Sequence, residues 1–137
     1  MHILMCNDDG ILADGLRHLA SYLSQYYRIT VVAPANEQSA KSHALTTEVP
    51  LKLDACNGED ENPRLYALTG TPSDCMKFGL SYLLTDDMPD LVISGINHGF
   101  NLGSDVLYSG TVSAAMESGF YGIPGLALSV ERYSVER

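Results

Sequence analysis

An α/β fold, with a mostly parallel sheet between layers of helices, is what this chain of 137 residues predicts. Three observations carry the expectation. Short apolar runs alternate with segments patterned at helical spacing. One run, Leu91-Val92-Ile93-Ser94, is apolar without a break up to its last residue, as strands buried on both faces are. Turn-forming clusters separate the runs, where connections belong. Strand, helix and strand repeated in this way imply a parallel sheet covered on both faces.

Residues 2–6 read as a short buried strand, stopped by the breaker Asn7-Asp8-Asp9-Gly10. Residues 13–26 carry Leu16, Leu19, Ala20 and Leu23 at helical spacing, so an amphipathic helix is expected. Residues 28–33 (RITVVA) form a second strand, ended by Pro34. The polar stretch 34–47 is longer than most connections, which marks it as a functional or mobile loop. Val49, Leu51 and Leu53 alternate, and Pro50 favours an edge strand at 49–53. Residues 57–63 are an acidic turn, and 65–68 another short strand. Gly70-Thr71-Pro72-Ser73-Asp74 reads as a helix start, with Pro in the first turn and Asp near the positive end; the helix is expected to run to Leu84. The strand at 91–94 is followed by a glycine-rich loop over 95–110. A helix at 111–119 and a strand at 126–130 complete the order.

Composition removes several classes. A hydrophobic share of 45% excludes disorder, collagen and coiled coil for the whole chain. Apolar stretches fall far short of the ~18 residues of a membrane span. The N-terminus lacks a basic region and turns acidic at Asp8, unlike a secretory signal, so a cytoplasmic location is expected. The net charge of −9, with eight scattered basic residues, argues against long nucleic acids as partners. A small anionic ligand would need positive charge from helix N-termini, backbone N–H groups or a metal. Cys6, Cys56 and Cys75 are odd in number and lack CxxC spacing, so neither a disulfide framework nor structural zinc is expected.

Ligands of parallel sheets bind outside the carboxyl ends of the strands. That directs the search to Asn7–Gly10, to 34–46 and to 95–111. Asp8 and Asp9 repel each other unless they share a cation, though Asn-Asp-Asp-Gly is also good turn chemistry. A phosphorelay receiver would need an Asp ending its middle strand and a Lys ending a later one; Ser94-Gly95 and Ser129 stand there instead. Glu37, Ser39, Asn97 and Asn101 add oxygen donors. Asp, Ser and Asn oxygens together suit a hard divalent ion, Mg²⁺ or Mn²⁺, and disfavour zinc. Ser109-Gly110-Thr111 opens a helix and offers N–H groups and hydroxyls to a phosphate, or simply a helix cap. His43 and His98 are candidate general acids. Neither GxGxxG nor GxxxxGK[ST] occurs.

Taken jointly, these residues resemble the SurE family (stationary-phase survival protein, 5′/3′-nucleotidase). The resemblance lies in Ile3-Leu4-Met5-Cys6-Asn7-Asp8-Asp9-Gly10-Ile11, in Val31-Val32-Ala33-Pro34 with Gln38-Ser39, and in Gly70-Thr71-Pro72-Ser73-Asp74-Cys75. It is strongest in Pro89-Asp90-Leu91-Val92-Ile93-Ser94-Gly95-Ile96-Asn97-His98-Gly99, with Asn101-Leu102-Gly103 and Tyr108-Ser109-Gly110-Thr111-Val112. It implies a Rossmann-like three-layer core with a mostly parallel sheet. It also implies a divalent-metal-dependent phosphomonoester hydrolase acting on nucleoside monophosphates, with polyphosphate as a further substrate, assembled as a homodimer or homotetramer. Asp8 and Asp9 would be catalytic; Asp8, Asp9, Ser39 and Asn97 would hold the metal; Asn97, Ser109, Gly110 and Thr111 would bind the phosphate. Family chains continue beyond the point reached at Arg137. The expectation is therefore one domain over 1–137, either a truncated N-terminal portion of the family's chain or a naturally short form. The competing readings are a catalytically weak metal- or nucleotide-binding module and an assembly fragment.

Overall fold

The computed structural model describes residues 1–39 and 43–131. Six strands form one sheet: β1 (His2–Cys6), β2 (Arg28–Pro34), β3 (Leu53–Ala55), β4 (Arg64–Leu68), β5 (Leu91–His98) and β6 (Gly125–Val130), in the order β3-β4-β2-β1-β5-β6. All neighbouring pairs are parallel except β3–β4. The helices are α1 (Asp14–Leu23), α2 (Pro72–Phe78) and α3 (Gly110–Gly119).

Strand alternation explains the layers. Every residue of β1 is buried. Ile3 and Met5 join Leu16 and Ala20 of α1 on one face, and Leu4 and Cys6 join Met76 of α2 and Ala114 of α3 on the other. A strand buried on both faces has no polar side to show, hence the unbroken apolar run from Ile3 to Cys6. Each large side chain so buried contributes about 1.5–3 kcal/mol relative to exposure.

The chain runs outward from β1 to β2 and β4, then returns to the other side of β1 as β5. Connections leaving β1 and β5 therefore diverge, and a crevice opens between the carboxyl ends of these two strands. The segment after β2 folds back toward it, with Ile11 N–H donating to Pro34 O at 2.8 Å and Gln38 N–H to Asp8 O at 2.7 Å.

Four boundaries differ from expectation. Helix α1 stops at Leu23, and Ser24 closes it by donating its amide to Ala20 O and its hydroxyl to Ser21 O. The edge strand is Leu53–Ala55 rather than 49–53, so Pro50 lies ahead of it; the edge position is as expected, and the pairing there is antiparallel. Helix α2 ends as such at Phe78 and continues as a π-helical turn, Gly79–Leu83. Strand β5 runs to His98, into the stretch read as a glycine-rich loop, which also contains a 3₁₀ turn at Gly103–Tyr108. The three cysteines are free; Cys6 and Cys75 are buried and Cys56 is exposed. Burial, with Cys6 alongside, pushes the Cys75 thiol well above its ordinary range.

Candidate active site

The site begins with a turn that Asn7 closes on itself. Its side chain is buried; Nδ2 donates to Gly10 O at 2.9 Å, and Gly10 N–H donates to Oδ1 at 3.1 Å. This Asx turn holds Asp8 and Asp9 at the end of β1. Asp8 is only 6% exposed, and its Oδ1 accepts the Thr111 hydroxyl at 2.8 Å. That bond requires α3 to start very close to β1. A Cβ on Gly110 would stand 2.9 Å from Asp8 Cβ and 3.1 Å from Pro72 Cγ, so only glycine permits the approach.

Asp9 is placed differently. Its Oδ2 is buried and has no hydrogen-bond partner among the described residues. Burial first, and the Asp8 charge second, hold its carboxyl above the usual carboxylate range; Glu37 adds to this and His98 opposes it. Two carboxylates with an orphaned buried oxygen form a group that a cation would relieve.

The remaining expected residues arrive from three other places. Ser39, after β2, donates its hydroxyl to Glu37 Oε1 at 2.7 Å. Asn97, near the end of β5, donates Nδ2 to Gly99 O at 2.9 Å, which turns its NH₂ end toward the backbone. Ser109 caps α3, its hydroxyl oxygen accepting from Val112 N–H at 3.1 Å. Asp8, Asp9, Ser39, Asn97 and Ser109 line one cleft of about 410 Å³. Gly110 and Thr111 are buried behind it. Of the two histidines, His98 lines the cleft, whereas His43 pairs with Glu117.

Glu37 and Asn101, noted in the sequence as oxygen donors, also line the cleft, as does Tyr108. Asn101 Nδ2 donates to Ser129 Oγ at 2.7 Å, tying this loop to β6. Asp105 lines it too and escaped the sequence reading. Its signal was position alone: it lies in the connection after β5, where parallel sheets place their sites.

A larger cavity, about 700 Å³, lies at the amino ends of the strands beside His2, Arg28 and Asp87. Its charges are already spent on each other, with Arg28 Nη2 2.6 Å from Asp87 Oδ1. The smaller, acid-lined cleft at the carboxyl ends is the better candidate.

Whether a metal fits can be judged from the donors. Among the described residues, no three His, Cys, Asp or Glu side chains gather into a metal-holding group. Two adjacent carboxylates and neutral oxygens are nevertheless a hard-cation donor set, since Mg²⁺ takes one or two carboxylates and keeps other oxygen ligands. The orphaned Asp9 Oδ2 agrees with that chemistry.

The fold and site together define a three-layer α/β protein with an acidic, hydroxyl-lined cleft where its strand order reverses. The comparisons with known proteins take this further. The chain belongs to the SurE family: the family described as "Survival protein SurE" matches residues 3–137. It is 54% identical over 129 residues to a "5'-nucleotidase SurE" of Thermoanaerobacter sp. (strain X514), covering 94% of this chain and 50% of that protein. It is 50% identical over 130 residues to a "5'-nucleotidase SurE" of Vibrio vulnificus (strain YJ016), covering 95% of this chain and 49% of the relative. A solved structure, the SurE protein from Aquifex aeolicus, superposes with a TM-score of 0.84 at 41% identity, covering 98% of this chain and 53% of the other. The chain thus spans about half the length of the curated relatives it matches. No helix among the described residues is long and apolar enough to cross a membrane.

Proposed function

We propose that this chain carries the catalytic cleft of a divalent-metal-dependent phosphomonoester hydrolase that releases phosphate from nucleoside monophosphates, at the 5′ or 3′ position, and from polyphosphate. The observation that carries the reading is the pairing of Asp8 and Asp9 at the carboxyl end of β1, with one buried oxygen of Asp9 left without a partner among the described residues. The relatives named 5'-nucleotidase SurE support the substrate class.

In this reading Asp8, Asp9, Ser39 and Asn97 hold one ion, Mg²⁺ or Mn²⁺. When bound, that ion supplies Lewis-acid polarisation of a phosphoryl oxygen and the positive charge that an acidic cleft lacks. Thr111 keeps Asp8 oriented through its hydroxyl. Asn97, with its NH₂ end committed to Gly99 O, would offer its amide oxygen to the ion. Ser109 and the first backbone N–H groups of α3, at Gly110 and Thr111, bind the phosphate and stabilise charge on its oxygens during transfer. His98, which lines the cleft, would give a proton to the leaving oxygen. The protein acts in the cytoplasm as a homodimer or homotetramer.

The test is phosphate release from 5′ and 3′ mononucleotides and from polyphosphate, with Mg²⁺, with Mn²⁺ and with chelator. Release that needs the ion and is lost in Asp9→Asn is expected; release that survives chelation would overturn the metal role. A second reading is a module that binds metal or nucleotide without turnover. Mn²⁺ binding without phosphate release would decide for it.

A further inference from the structure

Glu117 lies on α3 two turns beyond Gly110, away from the cleft lining. Its side chain is 8% exposed, and its Oε2 stands 2.6 Å from Nε2 of His43, which is 33% exposed. A carboxylate this buried is costly unless it is paired, and the pair is directional in a way that apolar packing is not. His43 does not line the cleft, so it is not placed to touch a substrate there.

What the pair holds is the start of the segment 43–46. The same segment is tied again within three residues: Thr46 donates N–H and its hydroxyl to Asp74 at 3.0 and 2.6 Å, and the Thr71 hydroxyl donates to Ala44 O at 2.6 Å. On its other side Gln38 N–H donates to Asp8 O at 2.7 Å. Ser39 sits between these ties, four residues before His43, a span of about 14 Å at full extension. Asp74 also caps α2, so it serves the helix as well as the segment. The Glu117 carboxylate has its hydrogen bond to His43.

We propose that Glu117 is a positioning residue: through His43 it holds the Ser39 segment against α3, the helix whose first turn faces Asp8. This rests on the reading of Asp8, Asp9 and Ser39 as one metal-holding site. Residues that orient ligands in this way typically change metal affinity by about 10–100-fold when lost.

The experiment uses the whole chain with Glu117→Ala, Glu117→Gln and His43→Ala. Three readouts are taken: affinity for Mn²⁺ alone, hydrogen exchange of the Gln38 amide, and melting temperature. Glu117→Ala and His43→Ala are expected to weaken Mn²⁺ about tenfold or more and to speed Gln38 exchange. Glu117→Gln, which keeps a hydrogen-bonding oxygen toward His43, should recover most of both. Lowered melting with Gln38 exchange and Mn²⁺ affinity unchanged would overturn the proposal, leaving Glu117 a packing residue. If Glu117→Ala does not fold, His43→Ala, at a partly exposed position, carries the same prediction. If the unmodified chain binds Mn²⁺ no better than Asp8→Asn does, the metal reading fails by itself. Gln38 exchange then decides the clamp alone, accelerated exchange upholding it and unchanged exchange sinking it.

Discussion

Adjacent aspartates in this cleft have unequal surroundings, and their substitutions should separate accordingly. Asp8 accepts a hydroxyl from Thr111, while Asp9 keeps a buried oxygen without a partner. Asp9→Asn relieves repulsion and burial of charge, so melting temperature should hold or rise while Mn²⁺ binding and phosphate release disappear. Near wild-type turnover with intact Mn²⁺ binding would remove Asp9 from the ligand set. Thr111→Val keeps shape and deletes the donor to Asp8. The lost bond to a charged group is worth roughly 1.5–3 kcal/mol, while loosening a residue that orients a metal ligand typically costs about 10–100-fold in metal affinity or activity. Kinetics and thermal melts on the same variant weigh the two roles; unchanged kinetics with lowered melting would make Thr111 scaffold only. At the opposite end, His2 is buried, with Nε2 2.9 Å from Thr30 Oγ1 and Nδ1 3.1 Å from Asp87 O. Burial, then the Arg28 charge, lower its pKa below 6.5 in the folded state. The unfolded chain therefore binds the extra proton first as pH falls, and stability present above about 6.5 is lost toward the lower folded value. Urea unfolding between pH 7.5 and 5 should show this loss in the parent and a shallower one in His2→Gln.

Elements deliver these residues by small irregularities. Between β5 and β6, Ser94 pairs with Ala127 and Asn97 with Ser129, so three steps on one strand oppose two on the other. Such a bulge re-aims side chains beyond it, and Asn97 lies just past it. Gly95 makes it possible: φ is +127°, and a Cβ there would run into the Leu128 carbonyl. Gly95→Ala should destabilise the fold by more than ~1 kcal/mol, since alanine must adopt a positive φ and also displace backbone; chemical denaturation measures it. An alanine tolerated without loss would mean that β5 and β6 can re-register freely. Gly110→Ala tests the other junction, where α3 crowds Asp8. Overpacking of that kind costs roughly 1–3 kcal/mol, and Mn²⁺ affinity should fall with it because the displaced atom is Asp8 Cβ.

For the molecule as a whole, charge and edges matter most. A net charge of −9 repels anions at long range, so substrate capture should depend steeply on the divalent ion. Strand β6 ends the sheet, and its residues Gly125, Leu126 and Ala127 are exposed, as are Met116 of α3 and Phe120 just after that helix. The strand carries no charge, Lys or Pro to blunt pairing with another chain. Concentration-dependent association is expected in sedimentation velocity. Leu126→Lys, at a side chain 45% exposed, should reduce it without lowering the melting temperature. A monomer at every concentration would show that this edge is no interface in the isolated chain.

Much of the framework was legible in the residues themselves. Unbroken apolar runs at β1 and β5, helical spacing through Leu16 and Ala20, and the capping signal at Thr71 and Asp74 each report local preference and burial together. Those two forces act over a few neighbours, so the α/β class and the order of elements followed from them. The acidic pair at the end of β1 was legible for the same reason, since a strand end is a local feature. Other features depended on contacts between residues far apart in the chain. The extension of β5 through Asn97 is stabilised by ladder bonds to β6, over thirty residues away. The Thr111–Asp8 bond joins positions 103 apart, and the His43–Glu117 pair positions 74 apart. Hydroxyl and carboxylate side chains choose partners by distance and direction, and neither is set by the local sequence. Tertiary structure alone therefore decided which oxygens at this cleft are satisfied, and that a buried one on Asp9 has no partner among the described residues.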